Sequence, residues 1–148
     1  MSLDNLVKTG QLKKHAPAPD EIRRLLRSIE RNIADSRVAT ISGEARFDCA
    51  YRAIMQCALL ALTAAGYRPS TSVPGHQQTM IQTLPQSMAI SADVVLVLDA
   101  LRRKRNLADY VGEGIDAESL RECVVQAESL SRHTLAWLEQ RHADLLAS

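Results

Sequence analysis

Between Ala53 and Ala92 the chain carries a single formally charged residue, Arg68. A segment that long and that poor in charge has to be either membrane or interior. Its most apolar part, Ala53 to Tyr67, is interrupted by Gln56 and Thr63 and falls short of the ~20 residues a membrane span requires. It therefore reads as the buried spine of a soluble domain. Aromatic residues make up only 3% of the sequence, so the interior has to be built from Leu, Ile, Val, Ala and Met. That choice favours packed helices over a β-sandwich. At 148 residues the chain is long enough for one domain with a self-sufficient core. A net charge of +1 provides no global field to recruit nucleic acid, so any such binding depends on local clusters.

Periodicity supports an all-α reading, an up-and-down helical bundle of about five helices forming one domain over residues 1–148. After Pro19, Ile22, Leu25, Leu26, Ile29 and Ile33 recur at helical spacing, with Arg23, Arg24, Arg27 and Arg31 on the other side. Phe47, Ala50, Tyr51, Ile54, Ala58, Ala61, Leu62 and Ala65 repeat the pattern up to Gly66, a natural stop. A shorter helix follows over 75–88, limited near Pro85. The last helix spans 116–146, with Asp116, Glu118 and Glu122 near its start, where the helix dipole favours acids. Helices are thus predicted at 20–37, 43–65, 75–88, 92–110 and 116–146. Residues 1–18 are expected to be a peripheral segment, with a short helix before the proline-rich "HAPAPD" and His15 in a mobile linker.

The stretch Asp93 to Tyr110, "DVVLVLDALRRKRNLADY", begins like a buried strand and ends in polar residues. No other segment offers a partner strand, and no Gly or Pro separates "VVLVLD" from "ALRRKR". Ser91 is a suitable N-cap, so one helix is predicted from Ala92 to Tyr110. On it Val94, Leu98, Leu101, Arg105 and Ala108 share a face, placing a guanidinium on the apolar stripe. Arg102, Asn106 and Tyr110 form an adjoining row, and Asp109 follows Arg105 by one turn. Arg103 and Lys104 are expected toward solvent, with Asp99 positioned to pair with Arg103. A run of cations on a helix is ordinarily a solvated face. An arginine on the core stripe instead calls for a carboxylate partner or an interface.

Cys49, Cys57 and Cys123 have no metal-ligand spacing and fall on apolar faces, as reduced core cysteines would. His76 reads as a loop or capping residue, His133 and His142 as surface or interface residues. No glycine-rich phosphate loop, zinc pattern or Ser/His/Asp set occurs; no metal and no cofactor is expected. "MSLDNLVKTG" lacks the features of a signal peptide, which leaves a cytoplasmic location as the expectation.

The long helix running "RFDCAYRAIMQCALLAL" into "GYRPS", the helix after "PGH" and the "LRRKRNLADY" helix together resemble a HEPN domain (higher eukaryotes and prokaryotes nucleotide-binding), most closely the small bacterial members. The resemblance covers most of the chain. It implies an all-helical bundle that dimerises around the arginine-bearing helix. Many HEPN proteins are RNA-cleaving toxins paired with nucleotidyltransferase antitoxins, whereas others bind nucleotides or act as non-catalytic partners. The nuclease pattern of that family is an Arg, a polar residue, and a His after four to six intervening residues. Arg105 and Asn106 match its start, but the His positions hold Tyr110, Val111 or Gly112. Counted from Arg102 they hold Leu107, Ala108 or Asp109. Metal-independent RNA cleavage needs a group to take the 2′-hydroxyl proton, and a neutral-pKa imidazole suits that task. Tyr110 is a poor base at its ordinary pKa.

Three readings follow. The first is a homodimer binding RNA or nucleotide phosphate at Arg102, Arg105, Asn106 and Tyr110, with little or no nuclease activity. The second is an active endoribonuclease using Arg105 with Asp109 or Tyr110. The third is an interaction module, joining a second copy or an antitoxin through the same helix, its geometry fixed by Arg105–Asp109 pairs.

Overall fold

A computed structural model describes residues 2–146. In chain order they form α1 (Leu3–Lys8), β1 (Leu12–Lys14), α2 (Pro19–Ser36), α3 (Gly43–Ala65), β2 (Tyr67–Pro69), α4 (His76–Gln82), α5 (Leu84–Met88), α6 (Ala92–Val111), α7 (Ala117–Arg141) and α8 (Ala143–Leu146). The fold is a helical bundle, as the periodicity predicts, and Val94 to Leu98 lie within a helix.

Local chemistry sets the helix ends. The Ser42 and Ser91 hydroxyls accept from the N–H of Ala45 at 3.1 Å and of Val94 at 3.3 Å, opening α3 and α6. Asp116 does the same for α7, accepting from Ser119 N–H at 3.2 Å. Gly66 and Gly112 close α3 and α6 in the left-handed region, at φ 99° and 73°, where a Cβ would be strained. At the start of α2 the Glu21 carboxylate reaches back to the Ala18 N–H at 3.0 Å, half of a capping box.

Two of the expected helices are divided. The 75–88 segment breaks at Thr83, which closes α4 and precedes α5. Pro85 has no N–H to continue the ladder and disfavours helical geometry just before it. The 116–146 segment breaks at His142, whose ring packs against that of Trp137, tilted by 55° with centroids 4.7 Å apart. The N-terminal segment is held more firmly than a linker. β1 pairs antiparallel with β2, Leu12 opposite Pro69 and Lys14 opposite Tyr67. His15 donates its backbone N–H to Gly66 O at 2.9 Å and sets its ring against Glu21 at 2.8 Å.

α3 is the spine, packed between α2 and α7. Twelve of its residues are buried, Phe47, Ile54, Leu60 and Leu62 among them. Gln56, the polar interruption of this helix, accepts from Asn32 Nδ2 at 2.9 Å and donates to Ser28 Oγ at 2.8 Å. Both partners lie on α2, so a polar group that would be costly if unpaired instead fixes the α2–α3 register. Cys57 and Cys123 are buried among these helices, and burial pushes both thiols up to about 12. Among the described residues no helix is long and apolar enough to cross a membrane.

Candidate functional site: an arginine groove

α6 lies against this spine with only Leu98 and Leu101 fully buried. One turn beyond Leu101 the same stripe delivers Arg105 to the bundle edge, its side chain 29% exposed. Asp48 and Tyr51 of α3 meet it there. The guanidinium lies over the Tyr51 ring, 5.2 Å from its centroid, a cation–π arrangement. Nε stands 3.4 Å from Asp48 Oδ1, and Nη1 stands 3.3 Å from Asp109 Oδ2. Both contacts are longer than the 2.7–2.9 Å of a charge-assisted hydrogen bond. Nε is buried with no hydrogen-bond partner among the described residues.

Arg102 behaves differently. Its Nε donates to Asp99 Oδ1 at 2.8 Å, committing that cation to its own helix. Arg103 approaches the other Asp99 oxygen at 3.6 Å and points outward, as spacing predicts. Lys104, expected in solvent, reaches Asp116 at 3.4 Å and ties α6 to the start of α7.

The five polar residues singled out on α6, namely Arg102, Arg105, Asn106, Asp109 and Tyr110, line one groove of about 210 Å³. Its opposite wall is the start of α4, Gly75 to Gln78. Sequence periodicity could place the α6 residues in a row but gave no access to that wall. Tyr51 supports it: burial pushes the hydroxyl up to about 12, so the phenol stays protonated and donates to Gln77 Oε1 at 2.7 Å. His76, expected as a loop or capping residue, is the first residue of α4 and lines the groove. His133 is exposed, as expected, and its ring nitrogen lies 2.8 Å from Met88 O, so it braces α7 against the end of α5. Among the described residues no cluster of three or more His, Cys, Asp or Glu is placed to hold a metal ion.

No known family, curated protein or solved structure matches the chain.

Proposed function

We propose that the chain is a HEPN-like helical protein that binds the phosphate of RNA or of a nucleotide in the α6 groove and works as a homodimer built on α6. The supporting observation is Arg105. It is partly shielded from water, held in place by Tyr51, Asp48 and Asp109, and its ion contacts at 3.3–3.4 Å are loose. An oxyanion entering the groove can take up N–H donors that those carboxylates engage poorly. Arg102, already bonded to Asp99, serves more as a fixed positive wall. Tyr110, 85% exposed, offers a ring for a base to stack upon.

The outer face of α6 favours the dimer. Leu96, Leu107, Tyr110 and Val111 are all exposed and recur near helical spacing. An apolar row on one helix is what a two-fold interface uses. A nucleotidyltransferase-type antitoxin is the heterologous occupant that the HEPN resemblance implies for the same face.

The test is binding of short RNA and of mononucleotides followed by anisotropy and calorimetry. Arg105→Ala should weaken binding by about 1.5–3 kcal/mol, the cost of one charge-assisted contact, without unfolding the protein. Absence of binding, with Arg105→Ala dissociating the dimer instead, would establish the interaction module in its place.

A second reading gains support from His76. The family's nuclease His is missing from α6, yet an imidazole from α4 borders the same groove as Arg102 and Arg105. An imidazole can move protons near neutral pH. RNA cleavage that persists in EDTA and disappears in His76→Ala would select this reading; cleavage lost in Tyr110→Phe and retained in His76→Ala would assign the role to Tyr110.

A further inference from the structure

A second cavity, of about 690 Å³, opens on the other side of α4, between α2, α3 and β2. Its size falls within the range of small-molecule sites. Arg24 and Arg31 of α2 reach it together, because seven residues make two helical turns. Arg68 joins them from β2. This is the lone charge of the long apolar stretch, and the fold places it at the cavity. Among the described residues none of the three has a carboxylate within ion-pair distance. Among the described residues the one acid lining the cavity, Glu21, is already engaged. Burial opposes its ionisation, but hydrogen bonds from His15 and from the Ala18 N–H outweigh this and hold the carboxyl below its usual range. Three cations thus converge on a space whose only anion is committed elsewhere.

Beneath the exposed arginines, Leu25, Leu59 and the buried Met80 give the cavity an apolar patch beside Ser28 and Thr63. Among the described residues no Phe, Tyr or Trp lines it, so it lacks the large aromatic faces that single-stranded nucleic acid sites use most. Arginines at the mouth and aliphatic side chains beneath suit a ligand with an oxyanion at one end and an apolar body at the other.

We propose that this cavity binds a small amphipathic anion, a carboxylate or phosphate monoester on an aliphatic or single-ring body. The oxyanion sits among Arg24, Arg31 and Arg68, and the body rests on Leu25, Leu59 and Met80. The cavity meets the α6 groove only at His76, which lines both; none of the residues that hold the proposed ligand belongs to that groove.

The test is titration of the full chain with octanoate and with phenyl phosphate, read by amide ¹H–¹⁵N shifts. Inorganic phosphate and 1-octanol serve as probes that carry only half of the chemistry. At least one of the two anions should saturate at sub-millimolar concentration with shifts centred on Arg68, Thr71 and Met80. The tighter of the two identifies carboxylate or phosphate as the preferred head. Arg31→Ala/Arg68→Ala, both exposed positions, should keep the wild-type melting temperature and weaken binding at least tenfold. Arg105→Ala should leave it unchanged. Failure of both anions to saturate, or binding unaffected by the double substitution, would overturn the proposal. So would equally tight binding of 1-octanol or of inorganic phosphate, or binding lost in Arg105→Ala.

Discussion

α3 and α6 are both long helices with extended apolar runs in their sequences, and the fold uses them in opposite ways. α3 buries twelve of its residues between α2 and α7. α6 buries two, Leu98 and Leu101, and leaves Leu96 67% exposed. Both open on a serine cap and close on a left-handed glycine, so the difference does not lie in how the helices are made. It lies in what surrounds them. A helix covered over most of its surface has to satisfy the polar groups on its covered faces internally, as Gln56 is satisfied. A helix covered on one side retains an edge where charged and apolar side chains stand next to each other, and that is where Arg105 sits.

Substitutions should separate the two helices sharply. The largest effect is expected in α3, where Leu60→Ala removes a fully buried side chain and should cost about 2–5 kcal/mol in urea unfolding. A loss below about 1 kcal/mol would mean that α3 is not the spine. On α6, Leu96→Ser/Leu107→Ser should change the intrinsic stability of the protomer by no more than about 0.5 kcal/mol per site. The same pair should abolish the dimer in light scattering. A wild type that is already monomeric at tens of micromolar would remove the dimer, and with it the reason for the exposed row.

Smaller effects sharpen the comparison at the helix ends. Gly66→Ala, at φ 99° with a new Cβ in ordinary contact, 3.8 Å from His15 O, should cost about 1–2 kcal/mol through backbone strain. Ala89, which leads toward α6, already occupies the left-handed region at φ 57° without being glycine. Ala89→Gly should therefore stabilise the protein, by about 0.5–1 kcal/mol. Equal losses at both positions would show that contacts rather than φ decide these turns. The smallest effect is pH-dependent and lies where α7 begins. The Ser119 hydroxyl and N–H, with help from Lys104, bring the Asp116 carboxyl down from 3.8 to about 2. A lowered folded pKa gives stabilisation that is present above the ordinary value and lost as pH falls through the folded one. The advantage of wild type over Asp116→Asn should be constant above pH 5 and shrink between pH 4 and pH 2; an advantage that grows with acid would contradict this cap.

What could be read from the sequence was what depends on near neighbours along it. The helical stripes, the serine caps and the Arg105–Asp109 pair are separated by three or four residues and follow from the 3.6-residue repeat. Asp48 and Tyr51 hold Arg105 from α3 and His76 lines the groove from α4, and no periodicity within α6 points to them. The second cavity was hidden for the same reason. Arg24 and Arg31 belong to what reads as the solvent face of α2, and Arg68 gains its meaning only when β2 is brought beside them. The β1–β2 pair escaped because three-residue strands are too short to show alternation. His15, expected to be mobile, owes its fixed position to Gly66 and Glu21, one of them far away in sequence.

That same small pair of strands has a consequence for how the chain is made. Lys14 and Tyr67 are 53 residues apart, with α2 and α3 between them. On a ribosome adding about 5–20 residues per second, β1 waits roughly 3–10 s for its partner to be synthesised. During that interval the backbone of β1, whose Leu12 stands opposite Pro69 in the finished protein, has no ladder partner. Closing a loop of this length is entropically cheaper once α2 and α3 have collapsed together, because the ends are then already close. The segment translated ahead of α2 is thus the one that docks after the α2–α3 pair. In refolding followed by hydrogen-exchange labelling, the amides of Lys14 and His15 should gain protection later than those of α3.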